Sequence, residues 1–145
     1  MNKNTGFTLI EVLIAMLVLA VGLLGLAGLQ ATSLKNNQSA YNRSQATQLA
    51  YDLADRIRAN LAGKTTYTTG TATATAACLT TAGCTKEAMA ENDLKEWNDA
   101  ITATLPSGTG TIAVDAGVFT ITITWDDDHD DDTTNNPNFQ TSFQL

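Results

Sequence analysis

The chain begins with an apolar stretch unlike anything that follows it. Residues 12–29 form a run of eighteen residues without a charged or strongly polar side chain, which is long enough for a membrane-spanning helix. Residues 30–61 are polar, but apolar positions recur there at helical intervals: Leu34, Tyr41, Leu49, Leu53, Ile57 and Leu61, helped by Ala46, Ala50 and Ala54. We predict one helix from about 7 to 61, with a membrane stem at 7–29 and an amphipathic half at 30–61.

Residues 62–145 predict a small globular head that contains both helix and sheet. Thr85 is a candidate N-cap for a second helix at about 86–105, which Pro106 and Gly108 end. The helix carries an apolar stripe of Met89, Leu94, Trp97, Ile101 and Leu105. Trp97 on such a stripe is expected to be a core residue.

Alternating apolar and polar residues predict three strands, at about 111–115, 118–125 and 139–145. The first two are joined by the turn residues Asp115, Ala116 and Gly117. The apolar face of this antiparallel sheet is expected to cover the long helix, which gives an α+β fold. Residues 64–77 are almost entirely Thr, Ala and Gly, and predict a surface loop.

Charge and composition narrow the function. The net charge is −7, from 8 basic against 15 acidic residues, and no basic patch occurs. This charge disfavours nucleic acid as a partner. No catalytic constellation or phosphate-binding loop can be assembled from the sequence, so we expect neither an enzyme nor a cofactor.

Two cysteines, Cys78 and Cys84, lie close together in the chain. An even pair at this spacing favours one disulfide in an oxidising compartment, with two free thiols as the alternative. Zinc needs further ligands that a single histidine, His129, does not supply.

Six aspartates flank His129 between two predicted strands. Asp126, Asp128 and Asp130 imitate the first half of an EF-hand loop, which makes calcium conceivable. The imitation fails at Asp131, where glycine is required, and at Pro137, where an acid should close the loop. A solvated acidic loop without metal is the favoured interpretation.

Glu11 stands at the mouth of the apolar run, where a carboxylate costs a few kcal/mol unless it has a partner. Glu11 could instead reach the membrane surface or cap its own helix. A cleaved secretory signal is the competing interpretation of the whole segment, with its cleavage site near Ala27 to Ala31. The position of Glu11 and the length of the run disfavour such a signal.

The residues around Glu11 resemble the motif that type IV prepilins present to their peptidase: Gly6-Phe7-Thr8-Leu9-Ile10-Glu11. The resemblance implies a leader at 1–6, cleavage between Gly6 and Phe7, and N-methylation of Phe7. It also implies that Glu11 pairs with the N-terminal amine of a neighbouring subunit during assembly, and that the fold is pilin-like.

Further segments resemble the minor pilins of the PilV type: residues 22–30, 50–60, 94–97 and 124–127. This resemblance implies a low-abundance subunit of the pilus priming or tip complex. Its partners would be other pilins, the prepilin peptidase, the inner-membrane assembly machinery and, before assembly, membrane lipid. It would have a single inner-membrane span and a periplasmic head before it enters the extracellular pilus. The alternatives are a pseudopilin of a type II secretion system and a binding module at the filament tip.

Overall fold

The computed structural model describes residues 6–130 and 132–145. Its longest element is helix α1, Leu9–Ala59. The helix begins directly after Thr8, whose side-chain oxygen accepts a hydrogen bond from the Glu11 amide at 3.4 Å. No proline interrupts it, and it continues from the apolar into the polar part of the sequence, as predicted.

The chain divides into two compact units, Met1–Gln38 and Ser39–Leu145. In the first unit every described residue up to position 38 is exposed. Helix α1 includes an 18-residue window of mean hydropathy 2.8, none of which is buried. This part of the helix therefore has the length and composition to cross a membrane.

The second unit is called the head from here on: it adds residues 39–59 of α1 to the predicted globular head, 62–145, and it contains the remaining helices and strands. Helix α2 is Thr66–Thr69, helix α3 is Lys86–Thr104, and the strands are β1 (Thr109–Asp115), β2 (Val118–Thr124) and β3 (Asn138–Gln144). Two short 3₁₀ turns occupy Leu61–Gly63 and Ala76–Leu79. The predicted α+β arrangement is confirmed, although α2 and the start of the second 3₁₀ turn lie where the sequence predicted a loop with at most a short strand.

The cap and turn residues predicted from the sequence explain the start of α3 and the turn of the hairpin. The Thr85 hydroxyl accepts a hydrogen bond from the Ala88 amide at 3.2 Å and so caps α3. Ala116 and Gly117 have φ angles of 47° and 83°. Positive φ at both central residues is the signature of a type I′ turn, which suits the twist of two antiparallel strands.

The sheet is antiparallel in the order β1-β2-β3. Its central strand buries Phe119, Ile121 and Ile123, followed by Trp125 just beyond the strand. The core is completed by residues from the helices: Ala46, Ala50, Leu53, Ala54, Ile57, Tyr67, Ala90, Leu94, Trp97, Ile101 and Leu105. The core therefore lies between the sheet and the helices of the head.

Trp97 is buried, as predicted, and it joins three elements. Its indole N–H donates to the Leu49 carbonyl of α1 at 3.0 Å. On β1, a Cβ added to Gly110 would lie 2.3 Å from the Trp97 ring. Glycine at position 110 thus allows the strand backbone to approach the indole closely.

The predicted apolar stripe of α1 is wrong at both ends. Leu34, Tyr41 and Leu61 are exposed, whereas the polar Asn42 is buried. Only residues 42–57 of the helix contribute buried side chains. Apolar residues on either side of this segment have no described core to pack against.

Candidate functional site

The first candidate site is the start of α1. Gly6, Phe7 and Thr8 precede the helix and are exposed, so the Gly6–Phe7 peptide bond lies in non-helical backbone. A Cβ added to Gly6 would meet no atom within 4 Å. The described geometry therefore leaves this bond open to another protein. The predicted leader residues 1–5 lie outside the described part of the chain.

Glu11 lies in the first turn of α1 and is exposed. Its amide donates to the Thr8 carbonyl at 3.1 Å, so the carboxylate stands at the positive end of the helix dipole. The ion pairs among the described residues all lie in the head, and none includes Glu11. No described residue supplies a cation to this carboxylate.

A surface groove of about 480 Å³ adjoins this carboxylate. Apart from Glu11 its lining is apolar: Phe7, Val12, Ala15, Met16 and Leu19. A single acid beside an exposed apolar surface can attract a basic group and then exclude water from the contact.

The second predicted feature is the cysteine pair. Cys78 and Cys84 form a disulfide with an S–S distance of 2.03 Å. It closes a short loop that begins in the second 3₁₀ turn and passes through Gly83, whose φ is +70°. The bridge constrains a segment with few apolar contacts of its own.

The aspartate run is less solvated than expected at its start. Asp126 is only 3% exposed. Its amide donates to the Pro106 carbonyl at 2.9 Å, and its carboxylate accepts from the His129 amide at 2.8 Å. The expectation of a fully solvated loop is therefore wrong here, because Asp126 organises the turn after β2.

Asp127 ties the same turn to α1. Its carboxylate accepts hydrogen bonds from the Asn42 amide group at 2.8 Å and from the Trp125 indole at 3.1 Å. The contact with Asp127 also explains why Asn42 can be buried without a loss of stability, since its polar group has a hydrogen-bond partner. The first two aspartates of the run thus serve the fold.

The three aspartates considered as calcium ligands lie close together. One carboxylate oxygen from each of Asp126, Asp128 and Asp130 lies within 4.8 Å of the others. Calcium takes six to eight oxygen ligands, and Asp131 lies outside the described residues. The Pro137 carbonyl already accepts from the Trp125 amide at 3.2 Å. Three acids alone do not establish a metal site.

Sequence reasoning missed a polar cluster between α1 and α3. Arg56 contacts Asp52 at 3.0 Å, Asp93 at 3.1 Å and Glu96 at 2.8 Å. Asp93 is buried, so Arg56 pairs with more than surface charges. The one sequence feature that pointed to this cluster is a basic residue, Arg56, next to the core position Ile57. Its acidic partners on α3 are too distant in sequence to be predicted from residue spacing.

Electrostatics in this cluster favour the charged Arg56. Burial opposes the charge, but the hydrogen bond with Glu96 and the charge of Asp52 outweigh burial and raise the pKa of the guanidinium. The hydrogen bond from Arg56 holds the pKa of Glu96 below its usual range. The cluster therefore links two helices by charge.

Tyr67 joins the cluster from α2. Its hydroxyl donates to the Asp93 carboxylate at 2.5 Å. Burial, and then the hydrogen bond to Asp93, raises the pKa of this hydroxyl. Tyr67 thus connects the Thr-rich segment to the core, which its sequence neighbourhood did not predict.

Two family models match adjacent parts of the chain. Residues 1–27 match the prokaryotic N-terminal methylation motif, and residues 28–95 match the model of the type IV pilin Tt1218 and related proteins. The second match covers just under half of the chain and stops within α3, so the sheet lies outside both. No curated protein and no solved structure shows a significant match.

Proposed function

We propose that this chain is a minor pilin that helps to assemble the filament. The two family matches, to a type IV pilin and to the prepilin methylation motif, support this proposal. The observation that carries the proposal is the motif itself, ending in Glu11 at the start of an exposed apolar helix. Such a helix needs lipid or neighbouring helices to cover it. Membrane anchoring followed by filament assembly supplies both in turn.

The processing steps follow from the motif. The prepilin peptidase cuts between Gly6 and Phe7, and Phe7 becomes the N-methylated terminus of the mature chain. Under this proposal residues 1–6 are the leader, 7–29 the stem, 30–61 the amphipathic half of the long helix, and 62–145 the globular head. The exposed, non-helical backbone at Gly6 and Phe7 supports access by the peptidase.

Cleavage also explains Glu11. The cut creates a positively charged amine at Phe7, and an unpaired charge close to lipid is costly. The Glu11 carboxylate of one subunit neutralises the amine of its neighbour, which removes two unfavourable charges at once. Each subunit then needs another subunit, and this need favours ordered addition to a filament.

The PilV-like segments outside the stem support a minor subunit in the priming or tip complex. The chain would be held in the inner membrane with a periplasmic head, where the Cys78–Cys84 disulfide is stable. Its partners would be other pilins, the peptidase and the assembly machinery. The role is structural, and we assign it no cofactor and no metal ion.

Two measurements test the proposal. Mass spectrometry of the mature chain should find an N-methylated Phe7 as its first residue, and an intact Met1 or cleavage near Ala31 would contradict it. Deletion of the gene should reduce surface filaments. Loss of protein secretion with normal surface filaments would instead favour a pseudopilin of a type II secretion system. Normal filaments that no longer bind a surface would favour an adhesive tip module.

A further inference from the structure

One long edge of the sheet, the outer edge of β3, has no neighbouring strand among the described residues. Among the described residues, β3 pairs only with β2, through a continuous register over Asn138–Gln144. The Trp125 amide donates to the Pro137 carbonyl, the next pair in this register. Since hydrogen-bonded pairs alternate in antiparallel strands, the backbone groups pointing away from β2 belong to Asn138, Gln140, Ser142 and Gln144.

The features that normally protect an edge strand are missing from β3. The segment Asn138–Gln144 has no charged residue and no proline, and its register shows no bulge. The opposite edge differs. There, residues of α2 and of the chain after it, including Tyr67, Thr68 and Ala72, share a cavity lining with Gly110, Thr111 and Ile112 of β1.

The side chains next to the bare edge define what would fit beside it. Phe139 lies 6.4 Å from Tyr51 between ring centroids, and the Arg58 guanidinium lies 4.6 Å from the centroid of Phe143. Tyr51 is 52% exposed, so an aromatic surface of α1 remains accessible beside Phe139. A new strand at about 4.8 Å from β3 would lay alternate side chains on this surface.

The other face of the edge is polar. The hydroxyls of Thr120 and Ser142 are hydrogen-bonded at 2.9 Å, and the Gln140 amide donates to Thr122 at 3.3 Å. The matching partner is therefore an extended segment that alternates apolar and polar residues. Main-chain hydrogen bonds would supply affinity, and the apolar positions would supply specificity.

We propose that the outer edge of β3 binds an extended segment of a different pilin subunit, which adds a fourth strand to the sheet. The identity of the partner rests on the proposed function, because membrane-held pilins lie side by side at high effective concentration. Two β3 strands from two copies of this chain would pair antiparallel across a two-fold axis. Such a contact is complete with two copies and offers no site for a further subunit along a filament. A subunit of different sequence is therefore the favoured partner.

Photo-crosslinking of the full-length chain in its own cells tests the contact. A photoreactive residue replaces Ser142 on the bare edge or, as control, Ala113 on the opposite edge strand, β1. These positions share one row of the sheet through Thr120, and both are exposed. We expect position 142, but not 113, to capture another pilin identified by mass spectrometry. Capture of a second copy of this chain, of a non-pilin protein, or of nothing at position 142 would overturn the proposal.

A matched pair of variants tests the mechanism. Ser142→Pro and Ser142→Ala both lose the hydroxyl, but only proline loses the outward amide donor. Using a photoreactive residue at Gln140, we expect pilin capture by the proline variant to fall roughly fivefold or more below that of the alanine variant. Equal capture would contradict strand addition. If Ser142→Pro lowers the melting temperature, Thr141→Lys replaces it. The lysine places a charge on the inner face of the edge strand, and we again expect pilin capture to fall relative to Ser142→Ala.

Failure of this inference is distinguishable from failure of the proposed function. N-methylation at Phe7 and the loss of filaments on deletion of the whole gene are measured without altering β3. A mature, methylated chain that enters filaments without a crosslink at position 142 would reject only the edge contact.

Discussion

Residues 9–38 of α1 expose their large apolar side chains, whereas the head, Ser39–Leu145, buries a core of its own. Leu17 is 65% exposed and Leu53 of the same helix is 0% exposed. One continuous helix thus carries two kinds of apolar surface. Burial within the chain stabilises the head, while the stem surface gains free energy only from lipid or from other subunits.

The difference separates what folds the protein from what assembles it. Hydrogen bonds and ion pairs of the head connect its helices to one another and to the turn after β2. The stem has one acid, Glu11, and no described partner for it. Substitutions in the two regions should therefore affect different measurements.

Matched leucine substitutions give the largest expected contrast. Leu53→Ala leaves a cavity in the closed core and should reduce the free energy of unfolding by about 2–5 kcal/mol. Leu17→Ala should leave it unchanged, because Leu17 contacts no core. Urea denaturation of the detergent-solubilised chain, followed by tryptophan fluorescence, measures both. Equal losses would show that the stem contributes to the stability of the head.

Matched arginine substitutions sharpen the comparison within the head. Arg56→Ala leaves the buried Asp93 without its cation and should cost about 2 kcal/mol of unfolding free energy. Arg58→Ala removes an exposed pair with Asp55 and the contact with the Phe143 ring, and should cost about 1 kcal/mol. The same urea titration compares them, and equal effects would mean that the Arg56 cluster acts only as surface charge.

The smallest expected effect is a dependence of head stability on pH. Because Arg56 lowers the pKa of Glu96 in the folded state, the stabilisation is present above the ordinary glutamate pKa of about 4.3. It is lost as pH falls through the lower folded value. Thermal melts from pH 6 to pH 3 should show a shallower fall for Glu96→Gln than for the wild type.

A double variant checks the cause of this dependence. If Arg56 is responsible, adding Glu96→Gln to Arg56→Ala should produce little further flattening of the pH profile. Additive flattening would assign the effect to a different group.

The regular elements could be predicted because each has a local pattern. The alternation from Phe119 to Trp125, the Thr85 cap and the charge-free run 12–29 all depend on neighbours in sequence. The motif around Gly6 and Glu11 is likewise contiguous. These features are visible in the sequence because their physical causes are local.

The polar contacts between elements could not be predicted. Tyr67 lies in a segment of Thr and Ala, yet it is buried by contact with Asp93, 26 positions away. Asp127 belongs to a run of acids that has the composition of a solvated loop, yet it binds Asn42 of α1, 85 positions away. The partners of such groups are determined by tertiary packing, and periodicity carries no information about them.

The central claim is that Glu11 serves assembly rather than insertion. Its most direct test is the amount of chain in sheared surface filaments relative to the amount in the membrane, for wild type, Glu11→Gln and Glu11→Ala. Both variants remove the charge, and glutamine preserves the shape of the side chain. We expect normal amounts in the membrane and at least about a tenfold loss from filaments. Incorporation at the wild-type level would contradict the account.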